Sequence, residues 1–259
     1  MNNMEKVILF ASGKGGVGKT TVCANVAMQL ARGGKRVLVI DADIYLRNMD
    51  LVLGVSDIAL FDIQDLYEQY KNCTETMIDI DKEIIVHPLC SNLFFLASPA
   101  ILRIQQDKLY PFLIKLALSQ ARLYDYIFVD CPAGLYALSE YFISRHVGVL
   151  VITTPEIPSI RDADRVRECV MQKGAASCRL LVNRVVPKLI RRKKAPNIDH
   201  IIDAVGAQLI GLIPEVRNAS VFTYKNRLMV DDKGSDAYYA FQNIAARIDG
   251  CDVPLYHFW

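Results

Sequence analysis

Gly13-Lys14-Gly15-Gly16-Val17-Gly18-Lys19-Thr20 is the stretch from which the rest of the chain can be read. It fits the pattern G-x-x-x-x-G-K-[ST], a short pattern that also arises by chance and needs its context. Upstream, Val7-Ile8-Leu9-Phe10-Ala11 is an unbroken apolar run, which predicts a central strand buried on both faces. Downstream, Thr20–Arg32 predicts a helix with Val22, Val26, Met28 and Leu30 among its apolar residues, stopped by Gly33-Gly34. Arg36–Ile40 predicts a second buried strand that runs into Asp41-Ala42-Asp43. Strand, loop, helix and strand make a βαβ unit, which crosses over right-handed into a parallel sheet.

The loop has a physical purpose in that setting. A triphosphate needs many N–H donors aimed at one place. Glycines let the backbone wrap closely, and a helix N-terminus adds partial positive charge. Lys19 is then expected to reach the β- and γ-phosphates, and the Thr20 hydroxyl to face Mg²⁺. The competing reading is a glycine-rich turn with an incidental lysine. Mg²⁺ needs further oxygen ligands, often water held by carboxylates. Asp41, Asp43 and Asp130 all fall at predicted strand C-termini, the edge at which open α/β sheets bind ligands. Asp130 follows the apolar run Tyr126–Val129, a Walker B arrangement. The bland alternative for each aspartate is a loop-capping carboxylate.

The strand–helix alternation continues to the end of the chain. Strands are predicted over Asn92–Ala97, Tyr126–Val129, Val147–Ile152, Arg179–Val182 and Gln208–Ile213. Helices are predicted over Leu109–Ala121, Asp162–Gln172, Ile198–Val205 and Asp236–Ile248. The expected fold class is α/β, a three-layer, mostly parallel sheet with helices on both faces. No linker, repeat or low-complexity tract divides residues 1–259, so one domain is expected. Residues 54–91 are the least legible, read as a helix and irregular connections.

Composition narrows the function classes. Hydrophobic residues are 52% and charged residues 22% of 259, which supplies a core and argues against a disordered chain. A net charge of +2 is too mild to argue for nucleic acid in bulk. Seven cysteines with no Cys-x-x-Cys pair read as reduced thiols. No apolar run reaches the roughly 18 residues of a membrane span, and no secretory signal is legible. The expected location is cytoplasmic, with any membrane contact peripheral on the inner face.

Together these motifs resemble the MinD/ParA family of deviant Walker ATPases, nearest its MinD branch. The resemblance is carried by Lys-Gly-Gly-Val-Gly-Lys-Thr-Thr at 14–21 and Asp-Ala-Asp-Ile-Tyr-Leu-Arg-Asn-Met-Asp-Leu at 41–51. It continues through Asp-Cys-Pro-Ala-Gly at 130–134 and Thr-Pro-Glu-Ile-Pro-Ser-Ile-Arg-Asp-Ala-Asp-Arg at 154–165. Leu-Val-Asn-Arg at 181–184 and Leu-Ile-Gly-Leu-Ile-Pro-Glu at 209–215 complete it. The resemblance implies a slow, partner-stimulated ATP hydrolase that uses Mg²⁺ and closes a nucleotide-sandwich homodimer with ATP. It implies that Lys14 reaches the partner's phosphates, a cation supplied in trans as an arginine finger is. It also implies that Asp43 positions the attacking water and that Asp41, Asp130 and Thr20 surround Mg²⁺. Residues 13–21, with Thr21 the last, would hold the phosphates, Asn183 and Pro214 the adenine, and Arg47 to Asp50 would sense the γ-phosphate. The role implied is cell-division site placement with a regulatory protein partner and an anionic membrane surface. DNA partition and polar localisation of flagella or pili are the alternatives.

Three features depart from the family or lie outside the motifs. Cys131 stands where the family has serine, and Leu135-Tyr136 stand where an acidic residue often follows. The chain ends Asp-Val-Pro-Leu-Tyr-His-Phe-Trp at 252–259, and Pro254 with no Lys or Arg opposes a basic amphipathic helix. Leu255, Tyr256, Phe258 and Trp259 are expected to pack against the body, with an aromatic interfacial anchor the alternative. Lys188 and Arg191-Arg192-Lys193-Lys194 form a basic stretch, either a solvated loop or a contact to DNA phosphates or lipid headgroups. Cys90 and Cys131 lack the surroundings of an iron–sulfur site and read as small hydrophobes. His87, His146, His200 and His257 are isolated and carry no expected chemistry.

Overall fold

A computed structural model describes residues 4–72, 78–134 and 143–258. Cys73, Leu135, Tyr136 and Trp259 lie outside the described residues. One eight-stranded sheet organises the molecule. Its strands are β1 Val7–Ala11, β2 Val37–Asp41, β3 Ile85–Val86, β4 Leu93–Leu96, β5 Tyr126–Asp130, β6 Val147–Thr153, β7 Ser177–Val185 and β8 Gln208–Pro214, in spatial order β3-β4-β2-β5-β1-β6-β7-β8. Every pairing is parallel except the short β3 against β4.

The apolar runs form strands because both faces are covered. All five residues of β1 are buried, and they alternate between two cores. Val7, Leu9 and Ala11 join one core; Ile8 and Phe10 join the other. β5 divides in the same way, with Ile127 and Val129 on one face and Tyr126 and Phe128 on the other. That period of two explains why continuous hydrophobicity here means strand.

The helices, in chain order, are α1 Lys19–Arg32, α2 Met49–Leu53, α3 Ile63–Tyr70, α4 Gln106–Gln120, α5 Ile157–Gln172, α6 Pro187–Arg191, α7 Ile198–Val205, α8 Ala219–Tyr224 and α9 Asp236–Ile248. α1 and α9 cover one face of the sheet, and α4, α5 and α7 the other. α5 begins five residues before the expected Asp162, because Pro158 sits in its first turn, where a missing N–H costs nothing. β7 exceeds the expected Arg179–Val182 at both ends. The region 54–91 contains α3, whose N-cap Asp62 and Asp65 form a reciprocal capping box.

The C-terminal tail lies on the body. Leu255 and Phe258 pack against the core on the α4–α5 face. Asn243 Nδ2 donates to the Pro254 carbonyl at 2.8 Å, and the Tyr256 hydroxyl donates to Asp236 at 2.9 Å. Tyr256 also contacts the rings of Tyr239 and Phe258. Among the described residues no helix is long and apolar enough to cross a membrane.

Candidate functional site

The loop between β1 and α1 emerges at the C-terminal edge of the parallel strands. Its glycines differ in what surrounds them. Gly18 has φ +90°, and a Cβ there would meet Asn183 Nδ2 at 2.5 Å. A Cβ on Gly13 would meet the Asp162 carbonyl oxygen and Cβ, both at 2.6 Å, so this glycine lets the loop press against α5. At Gly15 and Gly16 a Cβ would meet nothing within 4 Å, so no protein atom crowds these positions. α1 starts at Lys19 with no side-chain cap and no acidic residue in its first turn. Its leading N–H groups therefore lack a side-chain acceptor, which is the arrangement that receives an anion.

A buried polar cluster sits beneath this loop. Lys19 Nζ donates to Asp130 Oδ1 at 2.9 Å, and the Thr20 hydroxyl donates to Asp130 Oδ2 at 2.6 Å. Lys19 and Asp130 are 7% and 1% exposed. Burial works against the Lys19 charge, but the adjacent Asp130 outweighs it and raises the pKa, so the lysine is protonated. Asp41 closes the next strand and is fully buried. Its carboxylate accepts the Asp43 N–H at 3.0 Å and the Met49 N–H at 3.3 Å. Burial, then repulsion from Asp130, pushes the Asp41 carboxyl up to about 8.

Asp43 is half-buried at the start of the segment that follows. Its carboxylate accepts the Leu46 N–H at 3.2 Å and its carbonyl accepts the Ser98 hydroxyl at 3.0 Å. Arg47 Nε donates to Asp50 at 2.7 Å, and its NH2 group donates to the Ala59 carbonyl at 3.1 Å. Residues 43–50 are thus tied into a closed turn, while Tyr45 and Leu46 are exposed.

On the other side of the loop, Asn183 Nδ2 donates to the Val17 carbonyl at 2.8 Å. A cavity behind the start of α1 is lined by Thr21, Asn183, Arg184, Pro214 and Phe241, among others. Lys14 differs from every other charged group of the loop. It is half-exposed, and among the described residues its Nζ meets the exposed carboxylate of Glu156 alone, at 3.3 Å.

The structure therefore brings residues 13–21, Asp41, Asp43 and Asp130 to one edge of the sheet, with Asn183 and Pro214 beside them. Sequence reasoning missed Glu156 as the neighbour of Lys14. It also missed Arg184, which adopts φ +57° at the cavity rim and stands 3.9 Å from Glu215. Both glutamates lay in motifs already quoted, but their contacts depend on strands being side by side. Cys131 is fully buried and burial raises its thiol pKa, which suits a small hydrophobe.

These residues fit a magnesium nucleotide. The glycine cradle is open at positions 15 and 16, and the buried Ser12 hydroxyl has no hydrogen-bond partner among the described residues. Among those residues no cluster of three or more His, Cys, Asp or Glu could hold a metal alone.

The comparisons with known proteins follow the same lines. A family model, ParA, described as NUBPL iron-transfer P-loop NTPase, matches residues 3–248. The septum site-determining protein MinD of Synechocystis is 35% identical over 257 residues, covering 98% of this chain and 93% of that protein. In the MinC:MinD cell division protein complex of Aquifex aeolicus, the matching chain is 32% identical with a TM-score of 0.83, covering 98% of this chain and 100% of that one. MinD of Pyrococcus horikoshii, solved with Mg-ADP, is 26% identical with a TM-score of 0.75, covering 95% and 96%. With a phosphate loop ahead of a buried Lys19–Asp130 pair and these matches along nearly its whole length, the chain belongs to the ParA family of P-loop NTPases, among its MinD-like ATPases.

Proposed function

We propose that this chain is an ATP-driven dimerising switch that acts in cell-division site placement. The observation that carries the reading is the position of Lys14: a cation in the phosphate loop, held outside the buried network and facing solvent beside Glu156. Bound ATP and Mg²⁺ would occupy the loop, with Mg²⁺ beside Thr20 and with its waters toward Asp41 and Asp130. The metal supplies charge neutralisation of the phosphates. Lys19, the N–H groups at the start of α1 and Thr20 bind and orient the triphosphate. Asp43 holds the attacking water, and Asn183 and Pro214 border the base. A second copy contributes its Lys14 to the same phosphates and completes the site, so hydrolysis would reopen the dimer. The MinC:MinD complex of a relative supports a regulatory protein partner for this chain as well.

The test is ATP-dependent self-association, followed by light scattering on a size-exclusion column. The parent is expected to dimerise with ATP and Mg²⁺ but not with ADP, and Lys14→Ala to stay monomeric. Equal dimerisation by the variant would overturn the trans role of Lys14.

A further inference from the structure

We propose that Asn25 and Arg32, on the flank of α1, are positioning residues for the nucleotide base. They hold the single turn Met229–Asp231, and with it Met229, at the wall of the cavity beside Asn183. The inference rests on the placement of the base given under the proposed function, and it separates recognition of the base from recognition of the phosphates.

The sequence of α1 sets up the arrangement. From Val22 to Ala31 every residue is apolar except Asn25 and Gln29. Asn25, Gln29 and Arg32 stand at i, i+4 and i+7, so they form one polar stripe along one face of the helix. All three reach the segment that leads into α9. Asn25 meets Val230, Gln29 Nε2 donates to the Tyr238 carbonyl at 3.4 Å, and Arg32 donates to the Val230 carbonyl at 3.1 Å and to the Asp231 carboxylate.

Asn25 is fully buried. A buried amide costs free energy unless its donor and acceptor are both used. Its Nδ2 donates to the Thr21 carbonyl at 2.8 Å, and its Oδ1 accepts the Val230 N–H at 3.0 Å. The N–H and the carbonyl of Val230 are therefore both bound by side chains of α1. A single 3₁₀ turn has poor internal hydrogen bonds and too little length to fix its own place. Ties from outside decide where it sits.

Met229 is the residue that those ties place. Two adjoining cavities, of about 80 and about 220 Å³, share Thr21, Arg184, Ala219 and Met229 in their walls. A shift of the turn changes the room left for a base. α1 begins at the phosphate loop, so one rigid helix carries both the phosphate end of the site and the grip on its base wall. An amide that only supported the fold would stabilise the turn without changing which ligand binds.

The experiment is calorimetric titration of the full chain, with Mg²⁺, by ATP and by inorganic tripolyphosphate, which lacks a base. The variants are Asn25→Leu and Arg32→Ala, and hydrolysis assays give KM and kcat for each. Asn25→Leu is expected to weaken ATP binding about three- to tenfold and to raise KM in parallel, with tripolyphosphate affinity and kcat within about twofold of the parent. Arg32→Ala removes a side chain that is 33% exposed. It is expected to weaken ATP in the same direction by about twofold or more, which checks the inference even if Asn25→Leu does not fold. Parental ATP affinity in Arg32→Ala and in a folded Asn25→Leu overturns the inference. Equal weakening of ATP and tripolyphosphate overturns it too, and makes the amide a support of the fold alone. A parent that binds tripolyphosphate as tightly as ATP removes the base from the cavity, which is the earlier reading failing before any variant is made.

Discussion

The phosphate loop has two ends that differ more than their sequence suggests. At its C-terminal end Lys19 is buried and bound to a buried carboxylate, within a network that includes Thr20. At its N-terminal end Lys14 stands in solvent with an exposed glutamate for company. The same residue type, five positions apart, is part of the fold in one case and part of the surface in the other. The difference follows from dielectric surroundings. An exposed ion pair contributes little, a median of about 0–1 kcal/mol, whereas breaking a buried pair strands a charge. A lysine that contributes little to its own fold is free to act on another molecule.

Substitutions at the two ends sharpen that contrast. Lys19→Ala leaves Asp130 buried without its cation. We expect a loss of about 3–5 kcal/mol in denaturant unfolding and a fall in ATP hydrolysis of about 100-fold or more. A variant as stable as the parent would mean that the buried pair does not support the fold. Gly18→Ala lies between the two ends. It places a Cβ at φ +90° and against Asn183 Nδ2, so about 2 kcal/mol of stability should go, with weaker nucleotide binding seen by calorimetry. Lys14→Ala should move the unfolding free energy by no more than about 0.5 kcal/mol while abolishing the rise of specific ATPase activity with protein concentration. If stability and concentration dependence fell together, the separation of the two ends would fail.

The smallest expected effect concerns a buried group that stays neutral. His87 Nε2 donates to the Leu53 carbonyl at 3.0 Å, and its Nδ1 accepts the Leu89 N–H at 3.2 Å. Burial lowers its pKa, against the pull of the Leu53 carbonyl. The unfolded chain therefore takes up this proton first as pH falls. Stability from His87 is present above its unfolded value of about 6.5 and is lost as pH drops toward the folded one. The parent should lose stability between about pH 7 and about pH 5 faster than His87→Gln, by under about 1 kcal/mol in urea titrations. Parallel slopes would show that the ring is not held neutral.

The sequence foretold the centre of the sheet better than its margins, and the reason is burial. Strands β1, β5 and β6 are covered on both faces, so their apolar runs stand out against everything around them. Helices α7 and α9 were legible end to end because Asn197 and Ser235 cap them with their side chains. Helices α2, α6 and α8 have only five or six residues, too few for a helical period to show. β3 has two residues, and its antiparallel partner is the only reason it is a strand. Within the site, the glycines and the strand-end aspartates Asp41 and Asp130 stand out in the sequence, and their places in the fold follow from the strands they end. Glu156, Arg184 and Glu215 carry no such mark. They matter through neighbours far away in sequence, and the parallel order of β1, β6, β7 and β8 brings them together.

The Lys19–Asp130 contact has a further consequence for competition among ligands. An anion approaching this loop meets a lysine whose charge a carboxylate already answers, at 2.9 Å and out of water. Free phosphate or sulfate, which offers only its charge, must displace that carboxylate with little in return. On the function proposed above, a nucleotide would bring a base to the cavity beside Asn183 and several oxygens to the glycine backbone, and so would win the exchange on many contacts at once. Discrimination against the abundant small anions of a cell would then come from an internal rival for the lysine, and not from any group that recognises those anions.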